Sequence, residues 1–185
     1  MDYAMLSRLQ IQSATDQEDY LRLPAIITGA SAAVLPEQLA CWAYPLANAD
    51  PDQASFNMVT AMLCRIHQSG RLDQIASDVA PEVSNAIRIY KDVIRAHIPL
   101  AVPFFPLGMP DVTNRQNPVA LGMRSPGWGA VAVWRLGGAE AVELSLQAPN
   151  ARILYPDNLG IELLKKNEKA IIRFPRPKMG CIILV

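Results

Sequence analysis

Three acidic side chains, Asp16, Glu18 and Asp19, fall within four consecutive positions of the sequence. They follow the strand-like segment RLQIQ and come just before an apolar stretch. A carboxylic acid at the mouth of a β/α unit could donate a proton in an acid/base reaction. The alternative is structural, because acidic side chains are favoured in the first turn of a helix, and Thr15 or Asp16 could cap that helix.

Few other residues offer chemistry of their own. The three cysteines, Cys41, Cys64 and Cys181, are far apart and have neither metal-type nor disulfide spacing, so reduced cytosolic thiols are expected. His67 and His97 are the only histidines, which argues against a histidine metal site. No glycine-rich phosphate loop is present either. The sequence predicts no metal or organic cofactor.

Composition limits the classes of partner. The formal net charge is zero and the basic residues are scattered, which excludes the basic surface of a nucleic-acid-binding protein. No apolar run reaches the roughly 20 residues that a membrane span needs, and the start of the chain lacks the features of a secretory signal. With 51% hydrophobic and 18% charged residues, the chain can form a real core. A cytoplasmic protein without nucleic-acid or membrane partners is therefore predicted.

Strand–helix units in residues 1–98 must position the acidic cluster. RLQIQ alternates as a short strand does, and Pro24 should kink or shorten the helix that follows. The segment AAVLPEQLACWAYP could hold a second strand. Asp50 followed by Pro51 predicts a helix start, and Pro81 predicts another. The segment LCRIHQSG is either a strand or a helix end, because its periodicity fits both.

Residues 99–185 change to a β pattern. The run AVAVWRLGGAEAVELSL alternates on both sides of Gly137-Gly138 and predicts a hairpin. ARILY, AIIRF and CIILV read as three more strands, and KKNEK, Lys165 to Lys169, reads as a charged turn. A proline-rich connection separates the two halves. We expect β/α units over residues 1–98 and a small antiparallel β-sandwich over residues 99–185.

The first half alone is incomplete as a parallel sheet. It holds about three strand–helix units, too few to close a barrel, and parallel strands normally need both faces covered. An exposed sheet edge with this much Leu, Val and Ile would promote aggregation. We therefore expect the chain to be the tail end of a larger protein.

The order of several motifs resembles one enzyme family. TDQEDYLRLPAI, AAVLPEQLACWAYP, FNMVTAMLCRIHQSGRL, IRIYKDVIRAHIP and PFFPLG follow one another as in the C-terminal part of bacterial α-galactosidases, glycoside hydrolase family 36. The resemblance covers about residues 8–108 motif by motif. It implies the last strand–helix units, strands 6 to 8, of a (β/α)8 TIM barrel, followed by a C-terminal antiparallel β domain.

The resemblance also implies site residues. TDQED matches the family's Ser-Asp-Asn-Thr-Asp pattern and puts Asp16 at the general acid/base position, with Asp19 at the second acidic position. Thr15, Gln17 and Glu18 depart from that pattern, so the proton donor is either Asp16 or Asp19. The family's nucleophilic aspartate has no counterpart in this sequence.

Other residues would line the sugar site. Trp42 and Tyr44 lie where an aromatic ring could stack on a sugar, although ordinary core packing explains them equally well. Gln12, just before the acidic cluster, could reach a sugar hydroxyl, and Asp19 could bind substrate if it is not a helix-surface residue.

The implied function is retaining hydrolysis of terminal α-galactosides or related oligosaccharides. Such a reaction needs two carboxylates about 5–5.5 Å apart, and this chain supplies only the acid/base, so it should be inactive alone. A non-catalytic remnant, or an accessory module for carbohydrate contact or assembly, is the alternative. The missing N-terminal part, or a second copy in a homo-oligomer, is the expected protein partner.

Overall fold

A computed structural model describes residues 2–44, 47–146, 148–166 and 168–185. Within these residues there are four α-helices, and each of the last two begins at or next to a proline. The helices are α1 (Tyr3–Leu6), α2 (Leu23–Ala30), α3 (Pro51–Met62) and α4 (Ala80–Ile89). A π-helical turn, Tyr90–Ile94, extends α4, and a 3₁₀ turn, Ile98–Leu100, follows it.

The predicted helix starts at Asp50 and Pro81 are confirmed. The Asp50 carboxylate accepts a hydrogen bond from the Gln53 backbone N–H at 2.8 Å, and Pro51 occupies the first turn of α3. This arrangement satisfies one of the free N–H groups at the helix start. Pro81 lies in the first turn of α4.

The prediction that a helix begins directly at the acidic cluster is wrong. Residues 14–19 have no regular structure, and α2 begins only at Leu23, with Pro24 in its first turn and not at a kink. The reason is local competition for backbone groups. The side chains of Thr15, Gln17 and Asp19 each accept a hydrogen bond from the backbone N–H two residues further on, at 3.1, 3.0 and 3.2 Å. Such turns replace the first turn of a helix.

A small parallel sheet forms next to the acidic loop. Its order is β1 (Gln12–Ser13), β2 (Leu39–Ala43) and β3 (Arg65–Gln68). Of the two structures left open for LCRIHQSG, the chain therefore adopts a strand. Trp42 on β2 lies opposite His67 on β3 in the register. Because the strands are parallel, their carboxyl ends meet at one edge of the sheet.

Residues 99–185 form two antiparallel sheets. The five-stranded sheet has the order β4-β5-β6-β11-β8, and the three-stranded sheet has the order β7-β10-β9. The strands are β4 (Val102–Phe104), β5 (Val119–Ser125), β6 (Trp128–Arg135), β7 (Ala141–Ser145), β8 (Arg152–Tyr155), β9 (Glu162–Lys166), β10 (Lys169–Arg173) and β11 (Met179–Leu184). The charged turn predicted over Lys165 to Lys169 is shorter in the structure, because β9 ends at Lys166 and β10 begins at Lys169. Asn167, between them, lies outside the described residues.

The hairpin predicted at Gly137-Gly138 is wrong, because the two strands belong to different sheets. β6 pairs with β5 and β11, whereas β7 pairs with β10. The chain crosses between the sheets at the two glycines. The buried Arg135 side chain donates to the carbonyl oxygens of Phe174 at 2.9 Å and Gly138 at 3.1 Å, so it ties the crossing to the three-stranded sheet.

The predicted fold, the last units of a (β/α)8 TIM barrel followed by a small β-sandwich, is contradicted. In the described part of the chain most strands pair antiparallel, the parallel sheet has three strands, and no (β/α)8 units are evident. The physical reason lies in where the helices bury their apolar faces. α3 packs against β11 of the five-stranded antiparallel sheet as well as against β2, and α2 packs against β5. The helices therefore do not form an outer ring around parallel strands.

One apolar core joins the two halves of the sequence. It includes Ile27 and Phe56 from the first half together with Leu121, Trp134 and Ile182 from the second. A second cluster fills the space between the two antiparallel sheets. The predicted domain boundary at residue 98 stays a prediction. No helix in the described ranges is long and apolar enough to cross a membrane.

Candidate functional site

The loop of residues 14–22 carries the acidic cluster at the carboxyl end of β1. Asp16 and Glu18 are exposed, whereas Asp19 is half-buried. The Asp19 carboxylate contacts the guanidinium of Arg115, which lies between β4 and β5, and stands 3.5 Å from Arg22 Nε. Asp19 thus anchors the loop to the β half, while the Asp16 side chain is directed to solvent.

Gln12 does not reach the acidic cluster. Its side-chain amide donates to the neighbouring Ser13 carbonyl oxygen at 2.8 Å. Sugar binding by Gln12 therefore stays a prediction.

Trp42 and Tyr44 lie together at the carboxyl end of β2. Their rings are stacked, with centroids 5.8 Å apart and planes 29° apart. The His67 ring packs against Trp42, with centroids 5.1 Å apart and planes tilted by 59°. All three side chains are half-buried. This arrangement differs from a sealed core cluster, since each ring keeps an accessible part.

A cavity of about 360 Å³ opens at the same edge of the sheet. Among the described residues, its wall includes Glu18 and Tyr20 from the acidic loop, Tyr44 after β2, and Asn57 from α3. Tyr20 is held by Phe56, whose ring it meets edge-on with centroids 5.3 Å apart. Burial, and then the negative charges of Asp50 and Asp19, raise the pKa of Tyr20, so its hydroxyl stays protonated and able to donate at neutral pH.

Four buried polar atoms near this edge have no hydrogen-bond partner among the described residues. They are Trp42 Nε1, Asn57 Oδ1, His67 Nδ1 and Gln68 Oε1. Leaving a buried donor or acceptor unpaired costs about 1–3 kcal/mol, and each such group calls for an explanation. Asn57 is only 1% exposed and lines the cavity, and its enclosed amide oxygen is an acceptor without a partner among the described residues.

Other cavities of comparable size lie on the β half. One lies beside the β9–β10 link and includes Lys165, Lys166 and Lys169 in its lining, and the other includes Trp128. Neither touches the acidic loop or the carboxyl ends of the parallel strands. We therefore take the cavity beside Tyr44 and Asn57, together with the Trp42–His67 pair, as the candidate site and call it the edge cleft.

The sequence pattern predicts some residues of the edge cleft and not others. Trp42 and Tyr44 were singled out, and the structure brings them together. Asn57 was missed, although a polar residue between Phe56 and Met58 on an otherwise buried helix was a usable signal. Asp16 is near in sequence to Glu18 but is not part of the cavity wall.

The edge cleft offers hydrogen bonds and aromatic faces. The described residues contain no group of three or more His, Cys, Asp or Glu side chains that could hold a metal ion. The three cysteines are buried and unpaired, and burial raises the pKa of Cys41 to about 12.

Comparison with known proteins gives no family for this chain. No protein-family model matches it, and no curated protein is significantly similar to it. The resemblance to α-galactosidases therefore rests on the motifs in the sequence alone.

Proposed function

We propose that the chain binds a galactoside-type carbohydrate in the edge cleft, as a C-terminal portion of an α-galactosidase-type glycoside hydrolase. The observation that carries the proposal is the combination of two stacked aromatic rings with unpaired buried polar atoms at one edge of the sheet. Aromatic faces bind the apolar C–H face of a sugar, and polar groups around them fix its orientation. We also propose a cytoplasmic location, which the three unpaired cysteines support.

The donors and acceptors in the edge cleft favour a neutral, hydroxyl-bearing ligand. Trp42 Nε1 can only donate a hydrogen bond, whereas the amide oxygens of Asn57 and Gln68 can only accept one. A phosphate would leave the amide oxygens unpaired, and a metal cation would leave the indole N–H unpaired. A sugar hydroxyl both donates and accepts, so this class of ligand matches both kinds of group.

Asp16 is the better candidate for the proton donor of the complete enzyme. The Asp19 carboxylate is occupied by Arg115, by Arg22 and by the Leu21 backbone N–H. Asp16 lies in the same loop without such partners among the described residues. A general acid works in an enclosed site, whereas Asp16 is exposed. Further polypeptide that covers Asp16 and supplies the nucleophile would therefore be required.

The first test is hydrolysis together with binding. The purified chain should not hydrolyse an aryl α-galactoside, because retaining hydrolysis needs a second carboxylate about 5–5.5 Å from the first. It should bind methyl α-galactoside in a calorimetric titration, and Tyr44→Ala should weaken this binding at least tenfold. Tyr3→Ala is the matched control, because Tyr3 is 78% exposed on α1. Undetectable binding by the wild-type chain, or turnover that Asp16→Asn abolishes, would refute the proposal as stated.

A non-catalytic carbohydrate-binding or assembly module is the second candidate. The position of Asp16, exposed and outside the cavity wall, favours it. The two candidates differ when the chain is mixed with a polypeptide that carries the nucleophilic aspartate and is encoded upstream of it. The hydrolase proposal expects turnover that Asp16→Asn removes, whereas the module expects none that depends on Asp16.

A further inference from the structure

The cavity of the edge cleft has a carboxylate in its wall. Among the described residues, Glu18 supplies the only charged side chain of that wall, and the other members are two tyrosines and an asparagine. The Glu18 side chain is exposed, so a molecule in the cavity can come close to it. Such a molecule meets a negative charge and no lysine or arginine in the described part of the wall.

The charge of Glu18 is not neutralised by its neighbours. The two arginines near the acidic loop, Arg22 and Arg115, are both engaged by the carboxylate of Asp19. Glu18 forms no ion pair of this kind with any residue that the structure describes. Its carboxylate therefore keeps its full negative charge beside the cavity.

Tyr20 shows that further negative charge acts on the same wall. After burial, the charges of Asp50 and Asp19 raise the pKa of its hydroxyl, because a negative charge opposes formation of a phenolate. Asp50 caps α3, where its charge offsets the positive end of the helix dipole. The same charges oppose any anion that enters the cavity.

We propose that Glu18 is a specificity-determining residue, which makes the edge cleft reject sugars that carry a carboxylate. The proposal rests on the proposed function and narrows its ligands to galactosides without an acidic group. A cavity of about 360 Å³ keeps a bound monosaccharide within about one Debye length, roughly 8 Å at physiological salt, of Glu18. Salt therefore screens the repulsion between the two carboxylates only in part.

The test compares three sugars that differ only in the group at carbon 6. In calorimetric titrations at low salt, the wild-type chain should bind methyl α-galactoside at least fivefold more tightly than methyl α-galacturonide, which carries a carboxylate there. Methyl 6-amino-6-deoxy-α-galactoside carries an ammonium group of similar size and should bind at least as tightly as methyl α-galactoside. Glu18→Gln keeps the size of the side chain and should bring the ratio of the neutral to the acidic sugar below about two. Glu162→Gln, at an exposed position on β9, is the matched control and should leave this ratio unchanged.

The outcomes separate this inference from the proposed function. If the acidic sugar binds as tightly as the neutral one, or if Glu18→Gln leaves the ratio unchanged, Glu18 does not select by charge, while sugar binding stands. Rejection of the amino sugar as well would mean selection by size, which also refutes the inference. If no sugar of the three binds the wild-type chain, the proposed function fails and this inference fails with it.

Salt provides a second measurement that needs no variant. Raising the ionic strength from about 0.01 M to 1 M shortens the Debye length from about 30 Å to about 3 Å. The ratio of the neutral to the acidic sugar in the wild-type chain should therefore fall as salt is added. A ratio that stays constant over this range would contradict selection by charge.

Discussion

Asn57 combines a cost in folding stability with a position in the candidate site. Its amide nitrogen donates to the Gln53 carbonyl oxygen at 2.9 Å, and its amide oxygen is buried and unpaired among the described residues, in a residue that lines the cavity. A purely structural residue at this position of α3 would be apolar like its neighbours Phe56 and Met58. Buried polar groups without partners are typical of binding sites, where the ligand supplies the missing bond.

Asn57→Leu tests this role, because leucine has a similar size and no polar atom to leave unpaired. We expect the free energy of unfolding in urea to be equal to or above that of the wild-type chain, while the affinity for methyl α-galactoside falls. Asn85→Leu on α4 is the control and should leave the affinity unchanged. A loss of stability with unchanged affinity would mean that Asn57 is structural.

The three cysteines show the opposite behaviour, because burial makes them inert. Burial raises the pKa of Cys41 to about 12 and raises the pKa of Cys64 and Cys181 as well. At about pH 8 these thiols are therefore protonated, and only the thiolate is nucleophilic. We expect a thiol reagent to label none of the three in the native chain and all three in denaturant. Fast native labelling of any one would show that its surroundings open readily.

At the scale of elements, the sequence correctly predicted the helix starts that depend on interactions between neighbouring residues. The starts of α3 and α4 follow from a capping side chain or a proline in the first turn, so the sequence was sufficient. The first helix was misplaced because three side chains of the acidic loop take the backbone N–H groups that a helix start would leave free. That competition depends on the conformations of these side chains, which cannot be read from the spacing of residues in the sequence.

Strand pairing depends on distant residues and was predicted less well. The two alternating runs around Gly137-Gly138 are strands, but β7 pairs with the distant β10, and β6 pairs with the distant β11 as well as with its neighbour β5. For the edge cleft, the sequence offered Trp42 and Tyr44 because aromatic residues near a strand end are visible in it. Asn57, His67 and Gln68 joined them only because α3 and β3 pack against β2.

Close packing of β11 against β6 gives a test at this scale. Gly180 lies opposite Trp134, which is fully buried, and a Cβ at Gly180 would be 2.7 Å from Trp134 Cδ1. Gly180→Ala should lower the free energy of unfolding by about 1–3 kcal/mol, as overpacking does. Gly29→Ala in α2 is the control, because nothing lies within 4 Å of a Cβ there. It should be neutral or stabilising by about 0.5–1 kcal/mol, and equal effects at both sites would contradict the packing.

At the scale of the whole molecule, a buried polar network joins the two halves. The Tyr155 hydroxyl on β8 hydrogen-bonds with Ser55 Oγ of α3 and with the Glu82 carbonyl oxygen of α4, each at 3.2 Å. The Glu82 carboxylate, in turn, accepts from Asn158 at 2.6 Å. Near the surface, Arg176 forms a two-bond ion pair with Asp52 at 2.6 and 2.8 Å. These contacts, with the shared apolar core, hold α3 and α4 against the five-stranded sheet.

Tyr155→Phe tests this junction. The change removes the hydroxyl that bonds to Ser55 Oγ and to the Glu82 carbonyl oxygen, so we expect the free energy of unfolding to fall by about 1–3 kcal/mol. Tyr3→Phe, at an exposed position, should have no measurable effect. Far-ultraviolet and near-ultraviolet circular dichroism should follow one common transition in both variants. Two separate transitions would show that the halves fold independently of the shared core.

The location of bound sugar is the most direct test of the central claim, that the edge cleft is a carbohydrate site. The chain has three tryptophans, Trp42, Trp128 and Trp134, and the indole N–H of each is buried and unpaired among the described residues. Each gives one indole signal in a ¹H–¹⁵N spectrum, and Trp42→Phe identifies the signal of Trp42. On titration with an α-galactosyl disaccharide we expect the Trp42 signal to shift while the other two stay in place. Saturating sugar that leaves the Trp42 signal unmoved, or that shifts only Trp128 or Trp134, would contradict the account.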